Sequence, residues 1–292
     1  MTMATDEPNA IYESTTSDFA EIERCLRGEK LYGDDFSPSE IEEWFRDEEE
    51  GYYNLGEKKR DGYVYGYHAL NWLHGYSKLP KKTFAHVLGI GSAYGEEIRP
   101  VATKASKITI LEASGRFWVE TIGDVPVEYV RPNPNGQMPF PDATFDLITC
   151  LSVLHHVPNV TTVVREICRC LAPGGHALLR EPIVSLGDWR KSRRGLTKRE
   201  RGIPPHILRD MIVAAGFEVL RQRKCVFPVT RRLQYLMKSS VFNSRVCTYA
   251  DSLTCWLPIW PKAYHAKHLL EKLRPNAIFF VLHKPALFKA EG

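Results

Sequence analysis

No apolar run in this chain of 292 residues comes near the ~20 that a membrane-crossing helix requires; runs such as 277–282 are far shorter. The first residues, Met1-Thr-Met-Ala-Thr-Asp-Glu-Pro8, hold neither a basic nor an apolar segment, so no secretory signal is expected there. Internal repeats and low-complexity tracts are missing as well. Cysteine is sparse: seven residues (25, 150, 168, 170, 225, 247 and 255), an odd number with no Cys-x-x-Cys. That excludes a disulfide framework, argues against a zinc cluster and fits a protein working in a reducing cytoplasm. With 43% hydrophobic, 25% charged and 11% aromatic residues, what is present is ordinary globular material. The length suits about two domains, or one large domain with additions.

The formal net charge of +4 is unevenly spread. Residues 1–60 carry 17 acidic and 7 basic side chains, 61–175 carry 10 of each, and 176–292 carry 22 basic against 8 acidic. The basic C-terminal segment points to an anionic ligand or to a solvated face.

Along the chain, the first ten residues read as a disordered tail. Ser37-Pro38-Ser39-Glu40 combines an N-cap, a proline at the first helical position and a capping-box glutamate. Ile41, Trp44 and Phe45 continue it as an amphipathic helix to about residue 50. The aromatic stretch Tyr52, Tyr53, Tyr63, Tyr65, Tyr67 and Trp72 reads as helix over 61–73, its rings packing against a domain rather than binding a cofactor. Short apolar runs follow at 85–90, 108–111, 127–130, 145–151, 176–180, 217–220 and 278–282. Helical patterns lie between many of them. Val160, Val163, Val164, Ile167 and Leu171 follow Pro158-Asn159, and Leu208, Met211, Ile212 and Ala215 follow Pro204-Pro205. This alternation predicts an α/β fold, a parallel sheet with helices on both faces. The expected divisions are an acidic helical extension over 1–82, a core domain over 83–285 and a tail over 286–292. A charged loop at 182–203 and an insertion at 227–274 stand outside the alternation.

Gly89-Ile90-Gly91-Ser92-Ala93-Tyr94-Gly95 follows the first strand and is expected to open a helix. Glycines there allow a tight turn and close approach to a ligand. The next strand ends in Glu112, whose carboxylate can accept hydrogen bonds from both ribose hydroxyls of an adenosine. The glycine loop alone also suits nicotinamide or flavin enzymes.

Further motifs stand in a fixed order: Met138-Pro-Phe-Pro-Asp-Ala-Thr-Phe-Asp-Leu-Ile148, Leu154-His155-His156-Val157, Leu171-Ala-Pro-Gly-Gly175 and Ala215-Gly216-Phe217. Together with the glycine loop and Glu112, this set resembles the class I S-adenosylmethionine-dependent methyltransferases, particularly the group that includes the quinone-biosynthesis enzymes. The resemblance covers about 83–225 and the last strand. It implies a Rossmann-like, seven-stranded, mostly parallel sheet whose last strand runs antiparallel between the fifth and sixth, with 227–274 inserted between the sixth and seventh. It also implies S-adenosylmethionine as cofactor, with Gly89, Gly91 and Gly95 lining its methionine and ribose part, Glu112 on the ribose and Ala113 against the adenine. Where the family places an aspartate for the adenine amino group, this chain has Arg131-Pro-Asn-Pro-Asn-Gly136. Asn133 or Asn135 offers a carbonyl instead, with Asn135 the candidate. Asp146, opening the fourth strand, reads as structural.

A sulfonium methyl is already activated, so the protein mainly aligns a nucleophile and excludes water. A hydroxyl acceptor also needs a base. His155 and His156 follow the fourth strand and Glu181 follows the fifth, at the carboxyl edge where ligands bind in open α/β sheets. His156 with Glu181 is the expected pair, one as base and the other as orienter or substrate contact. The loop at 182–203 supplies Asp188, Trp189, Arg190 and Arg194 as substrate contacts, suited to the hydroxyls, ring face and anionic part of a sugar. This loop and Leu31-Tyr-Gly-Asp-Asp-Phe36 resemble, more weakly, methyltransferases of surface-polysaccharide pathways.

The insertion 227–274 is expected to form a substrate lid. His265-x-x-His268 lacks a third ligand nearby, so no metal is assigned. Its tryptophans and basic residues also suit a membrane surface, met through a lipid-linked substrate, or RNA, without a motif for either. The resulting expectation is a cytoplasmic O-methyltransferase of a sugar hydroxyl on a glycan or its precursor, with no DNA partner. The alternatives are a phenol, quinone or natural-product acceptor, an RNA acceptor, a nicotinamide-dependent reductase and a non-catalytic cofactor-binding partner.

Overall fold

The computed structural model describes residues 16–55, 60–80, 83–189, 191, 193–237 and 240–286. The expected disordered tail at the N-terminus, the last residues of the expected tail 286–292, and Arg190 lie outside them. Eight strands form one sheet: β1 (Phe84–Ile90), β2 (Ala105–Leu111), β3 (Thr121–Ile122), β4 (Val125–Val130), β5 (Phe145–Leu151), β6 (Leu171–Pro182), β7 (Glu218–Cys225) and β8 (Ala277–His283). Their order is β3-β4-β2-β1-β5-β6-β8-β7. β4, β2, β1, β5 and β6 run parallel, whereas β8 is antiparallel to both neighbours. The seven expected strands become eight because β3 folds back antiparallel on β4, a two-residue arm with no apolar run to announce it.

The central strands are apolar on both faces because both faces are covered. On one side Ile90, Ile148, Leu179 and Phe280 meet Val160, Val164 and Ile167 of one helix (Val160–Cys170) and Leu208 and Ile212 of another (Pro205–Ala214). On the other side Val87, Ile108, Leu147 and Phe279 meet Leu70, Ile98 and Phe242. Asp146 accepts the backbone N–H groups of Ala85 and His86, a structural clasp between β5 and β1.

The N-terminal extension contributes α1 (Thr16–Leu26), α2 (Pro38–Glu48), α3 (Gly51–Asn54) and α4 (His68–His74). Ser37 and Glu40 close the capping box that starts α2. Trp44, fully buried, anchors that helix by donating its indole N–H to the carbonyl oxygen of His156 at 2.7 Å. The helix expected over 61–73 is confined to α4. Residues 61–67 are irregular, with Gly62 at φ +92°, and they carry Tyr63, Tyr65 and Tyr67 into the main cavity instead. Nor does the glycine loop open onto a long helix: only the four-residue turn Arg99–Ala102 follows it, so a helix dipole plays no part there. No helix of the described residues is long and apolar enough to cross a membrane.

Candidate active site

A cavity of about 630 Å³ opens at the carboxyl edge of the sheet, walled by the ends of β1, β2, β5 and β6, by Tyr52, Tyr63, Tyr65 and Tyr67, and by part of the insertion. Of the three motif glycines only Gly91 lines it. Its φ is +59°, and a β-carbon added there would lie 2.7 Å from both γ-methyls of Val153. Gly89 and Gly95 are packing positions, where a β-carbon would strike Ser92 and Ile98, or Ile122. A side chain at 91 therefore disrupts the loop itself before it reaches any ligand.

Glu112 and Ala113 also line the cavity. The Glu112 carboxylate is 8% exposed and accepts the N–H groups of Ala93 at 2.9 Å and Ser114 at 3.3 Å. The Ala113 N–H is a third backbone donor, and a carboxylate's remaining acceptor capacity is open to a ligand hydroxyl. Burial pushes its pKa up to about 7, against those backbone bonds. The pocket thus fits the adenosine part of S-adenosylmethionine: a buried acceptor carboxylate, a left-handed turn at close approach and an apolar wall. Asn135 does not reach that wall. Its side-chain carbonyl accepts Gln137 N–H at 3.0 Å within its own turn, while Asn133, Gly136 and Gln137 face the cavity.

The two histidines sit in different surroundings. His155 is buried, with Nδ1 2.7 Å from Glu181 and Nε2 3.6 Å from Glu200. Burial lowers its pKa, but the two carboxylates outweigh that and raise it to about 9. Glu200, despite its burial, is held down at about 2 by the same pair. Both ring nitrogens of His155 thus face carboxylates, which favours its protonated form and ties the ring to Glu181 and Glu200. His155, His156 and Glu200 bring ligand atoms within 4.8 Å of one another, but a proton held on His155 competes with any metal ion there.

Glu181 is fully buried and is not His156's partner. Besides His155 it accepts the N–H groups of Val153 and Leu154, both at 2.9 Å, and so positions the loop after β5. The partner of His156 is Glu48, from the end of α2, 2.8 Å from Nδ1, with the Thr197 hydroxyl at 3.1 Å. Glu48 also accepts the N–H of Arg199 at 2.7 Å. Burial raises its pKa, but the His156 contact prevails and keeps it below the usual carboxylate range. With Nδ1–H donated to Glu48, Nε2 is the basic nitrogen of a residue that lines the cavity.

The loop 182–203 does other work than expected. Trp189 is buried against Tyr32, Cys25 and Tyr264, its ring 5.3 Å from that of Tyr32, so it offers no face to a substrate. Arg194 is exposed and, like Asp188, is not among the cavity residues. The loop's cations clamp the acidic extension: Arg199 pairs with Asp47 at 2.7 Å and with Glu43 at 2.5 Å, and Lys198 with Asp47 at 2.8 Å. Arg201, fully buried, donates to the carbonyl oxygens of Tyr32, Leu154 and His155 and packs over Trp44. Two of the 22 basic residues of the C-terminal segment are thus paired with acids of the extension.

Sequence reasoning missed the second half of the cavity. Arg180 lines it, 2% exposed, stacked 4.1 Å over Tyr67 and donating to Asn71 at 2.6 Å and Ser152 at 3.1 Å. Tyr65, Tyr67 and Phe242 surround it, and Arg231 and Gln234 reach the cavity from the insertion.

Residues 88–179 match a family model described as a methyltransferase domain. The 27-O-demethylrifamycin SV methyltransferase of Amycolatopsis mediterranei (strain S699) is 32% identical over 121 residues, 38% of this chain and 41% of that protein. A ubiquinone biosynthesis O-methyltransferase of Paracidovorax citrulli (strain AAC00-1) is 23% identical over 201 residues, 63% of this chain and 83% of its own length. The chain spans about half the length of the first curated relatives it matches. Among solved structures, a chain from Listeria monocytogenes described as an S-adenosylmethionine-dependent methyltransferase has the same fold, with a TM-score of 0.50 at 13% identity over 73% of this chain and 97% of that one. This chain carries a class I S-adenosylmethionine-dependent methyltransferase domain, related to the methyltransferases of quinone biosynthesis, and S-adenosylmethionine is its cofactor.

Proposed function

We propose that the protein methylates an oxygen of a small organic acceptor, of the phenol, quinone or natural-product kind. The observation that carries this is the pairing of His156 with Glu48 on the wall of an aromatic-lined cavity. A hydroxyl gives up its proton reluctantly, and a positioned base contributes roughly 10²–10⁴-fold. In this reading Gly91, Glu112 and Ala113 hold the adenosine. The bound cofactor supplies a methyl group already activated by its sulfonium. His156 Nε2 takes the acceptor's hydroxyl proton, and Glu48 orients the ring and stabilises the imidazolium that forms. Glu181 and His155 hold the loop beneath. Tyr63, Tyr65, Tyr67 and Phe242 exclude water and offer ring faces.

The names of the relatives lean the same way, towards quinones and natural products rather than glycans. The sugar reading draws on Asp188, Trp189, Arg190, Arg194 and the basic C-terminal segment; Trp189 packs inside the molecule, and neither Asp188 nor Arg194 is among the cavity residues. Incubation with methyl-labelled cofactor and separate pools of phenols and quinones, and of nucleotide sugars and glycans, tests the proposal. Label is expected in the first pool; label in the glycan pool alone would overturn it.

A further inference from the structure

Helix α5 (Arg245–Trp256), in the insertion between β7 and β8, is built inside out. Its buried face carries Thr248, Asp251 and Cys255. Asp251 fixes that face by accepting the N–H groups of Val226 at 2.9 Å and Phe227 at 2.7 Å. Its outer face carries Val246, Tyr249, Leu253 and Trp256, which are 79%, 58%, 69% and 73% exposed. A surface helix ordinarily turns such a stripe inward. The segments on either side repeat the pattern, with Tyr235, Leu236, Ile259, Leu269 and Leu270 all at least 70% exposed. Isolated exposed apolar residues need no explanation, but this concentration within one insertion does.

The charge of the same insertion identifies what covers it. Residues 227–274 hold eight Lys and Arg against two acidic residues. One of those acids, Asp251, is buried beneath the helix, whereas Arg231, Arg232, Arg245, Lys262, Lys267 and Lys272 are exposed. Apolar and aromatic side chains among exposed cations are the composition of a helix lying in a membrane interface. A second copy of this insertion would bring like charges together.

We propose that the insertion docks on an anionic membrane surface, with the outer face of this helix in the headgroup layer. The segment that carries Tyr235 and Leu236 outward also sends Arg231 and Gln234 to the cavity, so the docked face adjoins the site. A lipid-soluble acceptor would then pass from the bilayer to the cavity, a consequence that rests on the methyltransferase reading.

The test is co-sedimentation of the full chain with vesicles of phosphatidylcholine alone and of phosphatidylcholine mixed with phosphatidylglycerol. Neither cofactor nor acceptor is added, so the result stands apart from any failure of the enzymatic reading. Binding at least ~10-fold tighter to the anionic vesicles is expected, weakening as salt rises. Leu253→Asp with Trp256→Asp should lower it at least ~10-fold with the melting temperature unchanged, and Tyr235→Asp with Leu236→Asp should act alike should the first pair fail to fold. The proposal is overturned by absent binding, by binding that survives both pairs, or by a soluble dimer that either pair dissociates.

Discussion

Glu48 lies 108 residues before His156 in the chain, yet its carboxylate is 2.8 Å from the imidazole Nδ1. The acidic extension therefore completes the site formed at the ends of β5 and β6. Glu48→Gln and His156→Ala should each lower kcat by at least ~10²-fold while cofactor affinity changes little. Steady-state kinetics with calorimetry separates the two effects, and full activity in both variants would reject the base assignment.

His155 makes a prediction about stability. Its folded pKa, about 9, is above the unfolded value of 6.5, so the stabilisation from its carboxylate pair is complete below pH 6.5 and fades as pH rises through 9. Glu200, depressed to about 2, reports the same contact from the acid side: its contribution is present above its unfolded value of 4.5 and is lost as pH falls through 2. Melting temperature should fall between pH 6.5 and 9, and the slope should flatten in His155→Gln. An unchanged slope would mean His155 carries no extra proton.

Arg201 joins the extension to the loop after β5 through three carbonyl oxygens and the face of Trp44. Arg201→Ala should destabilise the fold by about 2–4 kcal/mol, through lost charged hydrogen bonds and a cavity. Arg201→Lys should not restore it, because an ammonium cannot present the same fork. Denaturant unfolding measures both.

Much of the fold was legible because the carboxyl halves of β1, β2 and β5 and nearly all of β8 are buried on both faces and so read as largely apolar runs. The capping box of α2 was equally plain. β3 was not, since two residues carry no period. The aromatic spacing over 61–73 reads as helix, but it reflects a cavity wall, and residues 61–67 are irregular, with Gly62 at a positive φ. Glu112 stood out by its place at a strand end. Glu48 did not, because among the 17 acidic residues of the first 60 only tertiary packing distinguishes the one that meets His156. The same holds for Trp189, exposed by composition of its loop and buried by the extension that folds over it.

The account rests above all on the cavity's taking S-adenosylmethionine by its adenosine. Titration calorimetry with S-adenosylhomocysteine, the demethylated product, measures this with no acceptor needed. Saturable one-to-one binding is expected, weakened by about 1.5–3 kcal/mol in Glu112→Ala through loss of a charged hydrogen bond. No binding of this ligand, or tight binding of NADH in its place, would contradict the account.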